Sequence, residues 1–203
     1  MKSARLLTQT SASVAFDLIR RATAIAFVFS ILVWGANSLH GQSSSGNTSP
    51  APCASTESRQ FDFWVGHWDV YSKKAPQKLV AHSLIEKLYS GCAIRENWMP
   101  IVPGGDGGSL NSYRPENGIW RQTWTDSSGA CVEFTGKWSG TAMVLDGIWP
   151  QPGHPKQRTR MTYTALPGGA VEQLGESSDD DGKSWQPSFD LIYRPASEPG
   201  PRT

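Results

Sequence analysis

An excess of charge of either sign is missing from this chain. Its 19 Lys and Arg stand against 18 Asp and Glu in 203 residues. That balance provides no basic footprint for nucleic acid and no Lys/Arg run for an anionic membrane. Long apolar runs are missing too: the stretch Ala22 to Trp34 falls short of the roughly 20 residues that a membrane span needs. Histidine and cysteine are scarce, at four and three residues, and no zinc-type spacing joins them. His67 and His82 stand apart, and His154 sits in the loop "PQPGHPK". A haem on His154 is a minor alternative; no cofactor or metal is expected. There is no nucleophile elbow, dinucleotide fingerprint or zinc-protease motif. "PGGDGGS" at 103–109 lacks the Lys and the following helix of a phosphate loop. "SSDDDGKSW" at 177–185 lacks the chelating Glu of a calcium loop and reads as a hairpin turn.

What is present first is a leader. Lys2, Arg5, Arg20 and Arg21 precede the apolar run, and small or polar residues follow it. This pattern predicts a secretory signal over residues 1–41, cut after Ser38 or Gly41. An uncleaved anchor and twin-arginine export are the alternatives. Residues 42–58, "QSSSGNTSPAPCASTES", are too poor in apolar surface to offset their ordering entropy and are expected to be a flexible tether. The tail 195–203 reads the same way. One domain, 59–194, remains, in a protein expected in the periplasm or outside the cell, with no stable membrane span once the signal is cut.

Within that domain helical periodicity is hard to find. Short runs rich in β-branched and aromatic residues recur, and turn chemistry separates them: "PENG" at 115–118, "SSG" at 127–129, "PGG" at 167–169 and "DDDG" at 179–182. Strands are expected near 64–73, 79–89, 92–101, 109–114, 119–126, 131–138, 142–149, 157–165, 170–177 and 187–194. Evenly spaced short strands joined by hairpin turns predict an all-β, antiparallel up-and-down meander, a barrel or a sandwich. Alternation assigns the faces. Trp120, Gln122, Trp124 and Asp126 share one side of "IWRQTWTD"; Cys92, Ile94, Glu96 and Trp98 share one side of "CAIRENWM". Met161 pairs with Tyr163, and Phe189, Leu191 and Tyr193 alternate with Asp190, Ile192 and Arg194. Ten such strands, if closed, leave an interior wider than side chains alone fill.

The stretch "FDFWVGHWDV" at 61–70 heads the first strand, and the last strand ends in Arg194. Here the chain resembles the lipocalin and wider calycin barrels, and the expected fold is a single antiparallel up-and-down barrel of about ten strands. That resemblance implies that Gly66 and Trp68 close one end of the barrel, with Arg194 packed across the indole. "FDFWVGHWDV", "LYSGCAIRENW", "SLNSYRPENGIWRQTWTDSSG" and "FDLIYRP" also look like a widespread family of secreted bacterial barrels without assigned function, whose members usually carry Glu at the position of His67. Alternation with Trp68 puts His67 outside, at the surface or rim, rather than in a catalytic or metal role.

Glu96 and Gln122 are polar residues on faces expected to be buried. With Trp98, Trp120, Trp124 and Tyr163 they outline a mainly apolar pocket with a few orienting groups, the usual form of a small-molecule site. The expected partner is a small hydrophobic or aromatic ligand. Two alternatives stay open: an enzyme with Glu96 as acid or base, and a filled barrel acting through its outer surface. Of the cysteines, Cys92 and Cys131 start strands at opposite ends of a meander, too far apart for a bridge. If any bridge forms, Cys53–Cys92 is the expected one, because the tether brings Cys53 to the end where Cys92 lies; unpaired thiols are the alternative.

Overall fold

The computed structural model of the chain describes residues 53–197. The leader expected over 1–41, most of the 42–58 tether and the end of the tail lie outside the described residues. Ten strands are present: β1 (Gly66–Ser72), β2 (Ala75–Leu88), β3 (Ala93–Pro100), β4 (Gly107–Arg114), β5 (Ile119–Asp126), β6 (Cys131–Trp138), β7 (Ala142–Ile148), β8 (Arg158–Ala165), β9 (Val171–Ser178) and β10 (Gln186–Pro195). Each pairs antiparallel with its sequence neighbour, and β1 pairs with β10, so the sheet closes into an up-and-down barrel. Closure removes both sheet edges, which would otherwise expose unpaired backbone groups.

The strands form where β-branched and aromatic residues alternate with polar ones, and they stop where glycine permits a reversal. Gly118 in "PENG" has φ +67° and Gly140 has φ +101°, the positive region that a side chain disfavours. Along β5, Trp120 and Gln122 are buried, Trp124 and Asp126 are partly buried, and Thr125 is exposed. The outer face carries exposed or half-buried pairs, among them Arg121–Glu133, Arg160–Glu176 and Asp69–His82. Water and salt screen such pairs, so they add little to stability.

One end of the barrel is stoppered from within. Between Phe61 and Gly66 the chain makes a single 3-10 turn, Asp62–Trp64, and pushes Phe61 and Trp64 into the interior, both fully buried. The two rings stack at 4.8 Å between centroids. Phe61 meets Trp120 and Tyr163 edge-on, and Trp64 leans on Tyr163 and Tyr193. Trp68 also turns inward, and its indole N–H donates to the Trp64 carbonyl at 2.9 Å.

Two expectations need correction here. Arg194 does not cover Trp68: its guanidinium lies 4.4 Å over the ring of Tyr71, on the outside of the barrel. The register explains this. Arg194 pairs with Asp69, whereas Trp68 pairs with Pro195. The residues that face inward are Tyr193 and Trp68, so Arg194 is turned away from the indole. The tether also ends earlier than its composition implied. Cys53 is disulfide-bonded to Cys92, Ser58 is buried, and the Ser58 hydroxyl donates to the Ser55 carbonyl at 2.9 Å. The segment 53–58 thus belongs to the folded unit, held by a covalent link that its apolar content could not replace. At the other end, Pro195 completes β10, and the Ala196 amide donates to the His67 carbonyl at 2.9 Å.

Candidate ligand cavity

Strand direction sets what lies at each end. β1 leaves the stoppered end, so the β3–β4, β5–β6, β7–β8 and β9–β10 connections gather at the opposite, open end. Between that mouth and the stopper is a cavity of about 320 Å³. Its wall is aromatic: Trp98 from β3, Trp124 from β5, Trp149 just beyond β7, and Phe189 and Tyr193 from β10. Trp124 and Trp149 lie 6.3 Å apart at 45°, and Trp98 and Tyr193 lie 6.4 Å apart at 52°. Phe134 meets the Trp149 ring edge-on at 6.1 Å. Glycine makes part of this room. A Cβ on Gly175 would come within 2.2 Å of the Phe189 ring, so Phe189 can lie flat on β9 only because Gly175 has no side chain.

Polar groups line the deeper part. Glu96 is 5% exposed. The hydroxyls of Ser83 and Ser109 donate to its two carboxylate oxygens, each at 3.2 Å. The Asn111 amide donates to Ser109 Oγ at 3.0 Å and to the Ile94 carbonyl at 3.1 Å. Gln122 Nε2 donates to Asn111 Oδ1 at 2.8 Å. Across the barrel, Gln173 Nε2 donates to the Tyr163 oxygen at 3.0 Å, and the Tyr193 hydroxyl approaches Gln173 Oε1 at 2.6 Å and Glu96 Oε1 at 3.4 Å. A tyrosine has one proton. The 2.6 Å contact has the length of an O–H···O bond, so that proton goes to Gln173. An ionised Glu96 is left with two serine donors and no cation, since no salt bridge among the described residues includes it.

Burial therefore dominates its chemistry. Removal from water pushes the Glu96 carboxyl up to about 7, against the hydrogen bonds from Ser83 and Ser109. The phenols of Tyr163 and Tyr193 are pushed up by burial first and then by the Glu96 charge, so they stay protonated. Asp126 at the mouth behaves differently. Although burial opposes its charge, bonds from the Ser128 hydroxyl, the Trp124 indole and the amides of Ser128 and Ala130 hold its carboxyl below the usual range.

Of the residues proposed from sequence, Glu96, Trp98, Gln122, Trp124 and Tyr163 line this one cavity. Trp120 does not. It shares their face of the sheet but sits lower, 5.7 Å from Phe61, with its indole N–H toward Gln60 Oε1 at 3.4 Å. Gly66 and Trp68 lie at the stoppered end, and Arg194 lies outside. His67 is exposed. His154 is at the mouth connection, 2.9 Å from Asp179. In the 177–185 loop, Asp180 accepts from the Ser184 hydroxyl and amide and from Ser178, which holds its carboxyl at about 2. Its acceptors are thus taken up within the turn.

Asn111, Gln173 and Trp149 were not singled out in advance. Asn111 could have been found, because it alternates with Leu110 on β4 and shares a face with Ser109. The same period places Gln173 between Val171 and Gly175 on the inner face of β9. Trp149 carried the same signal, since the strand expected over 142–149 puts it on the face of Leu145 and Gly147, although in the structure it lies just past the end of β7. A comparison of the sequence with protein-family models and with curated proteins finds no match to either.

Proposed function

We propose that this is an exported binding protein that holds a small apolar or aromatic ligand inside its barrel, against Trp98, Trp124 and Tyr163, oriented by Glu96 and Gln122. The observation that carries the reading is the cavity itself: about 320 Å³, walled by aromatic rings, with a few convergent polar groups and a mouth. It has roughly twice the volume of the ~150 Å³ apolar cavities that admit a benzene ring. That room favours binding inside over a filled barrel acting through its outer surface. The Cys53–Cys92 bridge supports an oxidising compartment, the periplasm or the exterior. The motifs around FDFWVGHWDV support membership of the secreted bacterial barrel group they resemble.

The test is titration with the neutral fluorophore N-phenyl-1-naphthylamine. Saturable enhancement is expected, with affinity at least tenfold weaker in Trp124→Ala while the circular dichroism spectrum is kept. No saturable binding to the wild type sinks the reading. A second reading, an enzyme with Glu96 as acid or base, draws on the same carboxyl, which titrates near the pH where such a group works best. It requires a turnover that Glu96→Gln abolishes.

A further inference from the structure

The cavity is matched in its acceptors to a particular ligand chemistry. Its lining includes two carboxyl groups, Glu96 deep and Asp126 at the mouth, and no Lys, Arg or His. Every guanidinium or ammonium paired in a salt bridge among the described residues belongs to the outer surface or a loop, as with Arg121, Arg158 and Lys73. An anionic ligand would meet uncompensated negative charge there, at close range and away from water.

Donors also run out before acceptors do. The orientation of Asn111 is fixed because its Nδ2 must face the Ile94 carbonyl. Its Oδ1 therefore faces Gln122, and the Gln122 atom 2.8 Å away must be the amide nitrogen. That leaves Gln122 Oε1 with no donor from any described residue, on a side chain that is 1% exposed and lines the cavity. Glu96 has the same shortage. A carboxylate offers about four lone-pair sites; two serine hydroxyls reach it at 3.2 Å, and the Tyr193 proton is spent on Gln173. Both vacant acceptors open onto a space walled by Trp98, Trp124, Trp149 and Tyr193. Electron-rich ring faces attract a cation, and the attraction grows when the cation is desolvated.

We infer that the cavity takes a small organic cation, an ammonium group on a compact aromatic or alkyl body, with its N–H donors directed to Glu96 and Gln122 Oε1. This deepens the proposed binding function and rests on it. The ring faces hold the body of such a ligand while its charge replaces the missing partner of Glu96. The groups that face Glu96 are Ser83 on β2, Ser109 on β4 and Tyr193 on β10. None of them carries charge at neutral pH, so the carboxyl is free to be neutralised by the ligand.

Three probes with one ring system separate this inference from the reading beneath it: 1-naphthylmethylamine, 1-naphthalenemethanol and 1-naphthoic acid, titrated by calorimetry at pH 8. The amine is expected to bind at least tenfold more tightly than the alcohol, and the acid not at all. In Glu96→Gln, a substitution close in shape, the preference for amine over alcohol should fall to threefold or less while the alcohol still binds. If amine and alcohol bind equally, or the acid binds best, the cation inference is overturned and the binding function stands. If none binds at millimolar concentration, both fall. Asp126→Asn serves as a second variant: loss of preference there, with Glu96→Gln unchanged, would overturn the assignment to Glu96.

Discussion

The indole of Trp68 lies back over Gly66, two residues earlier on the same face of β1. A Cβ at Gly66 would stand 3.1 Å from two of the ring carbons and 3.3 Å from the ring nitrogen. That nitrogen donates to the Trp64 carbonyl, so the ring cannot yield without lengthening the bond that ties stopper to strand. The Gly-x-Trp spacing is thus a packing requirement: the glycine is the seat for the ring. Gly66→Ala is expected to lower stability by about 1–3 kcal/mol, as overpacking does, read from urea unfolding. Wild-type stability in that variant would mean the ring has room to spare.

Glu96 predicts an unusual pH profile. Its carboxyl sits at about 7 in the folded chain against an ordinary value of 4.5. Between those values the folded state holds more protons than the unfolded one, so stability falls as pH rises. The loss begins above about pH 4.5, is complete above about pH 7, and amounts to about 3 kcal/mol. Glu96→Gln should remove this dependence and make the protein more stable than wild type at pH 8. The difference between the two proteins, measured by chemical denaturation from pH 5 to 8, cancels every contribution common to both. A flat difference would show that the carboxyl is better solvated than its burial implies.

Alternation made the faces of these strands legible, but not height along the barrel. Trp120, Gln122, Trp124 and Asp126 do share the inner side of β5, and that side follows from period two alone. Whether a ring on it meets a ligand or the stopper depends on what fills the barrel at that level. The filler is Phe61 with Trp64, carried by one turn of 3-10 helix too short to show a period. Arg194 shows the opposite case. Its alternation with Tyr193 already places it outside once Tyr193 is inside, and the resemblance to lipocalins pointed the other way. The polar network was half visible: Glu96 and Gln122 stood out as polar residues on an apolar face. Asn111 bonds Gln122 from the neighbouring strand, and Gln173 joins the network only through Tyr163 and Tyr193, links that follow from a register that no single strand encodes.

The outer position of Arg194 can be checked by its removal. Stacked on Tyr71 at a half-exposed site, it contributes about 0.5–1 kcal/mol. Arg194→Ala should therefore shift the denaturation midpoint slightly. A loss above about 3 kcal/mol would place the side chain in the core after all.

The bridge between Cys53 and Cys92 ties the segment ahead of the stopper to the β2–β3 turn, closing a loop with a sequence separation of 39. A loop of that length, if the unfolded chain is otherwise free, is stabilised by about 3–4 kcal/mol on closure. The double replacement Cys53→Ala and Cys92→Ala should lose stability of that order, seen as a lower urea midpoint. Cys131, exposed at the far end, should react with a thiol reagent in the native protein, and its replacement by Ser should leave the midpoint unchanged.

Trp120 and Trp124 sit two residues apart on one strand face, yet they should answer to different measurements. Trp120 is 2% exposed, against Phe61 and 5.8 Å from Tyr113. Trp120→Ala opens a void in the stopper that its packed neighbours cannot fill, at about 3–5 kcal/mol. Trp124 borders space that is already open, and its indole N–H donates to Asp126 at 3.0 Å near the mouth. Its removal loses less packing, about 1–2 kcal/mol, but takes away one wall of the cavity. Stability should therefore fall mainly in the first variant and probe affinity mainly in the second. The reverse pattern would place the functional space at the stoppered end. Equal loss of both in each variant would show that stopper and cavity unfold as one unit, with no separable binding wall.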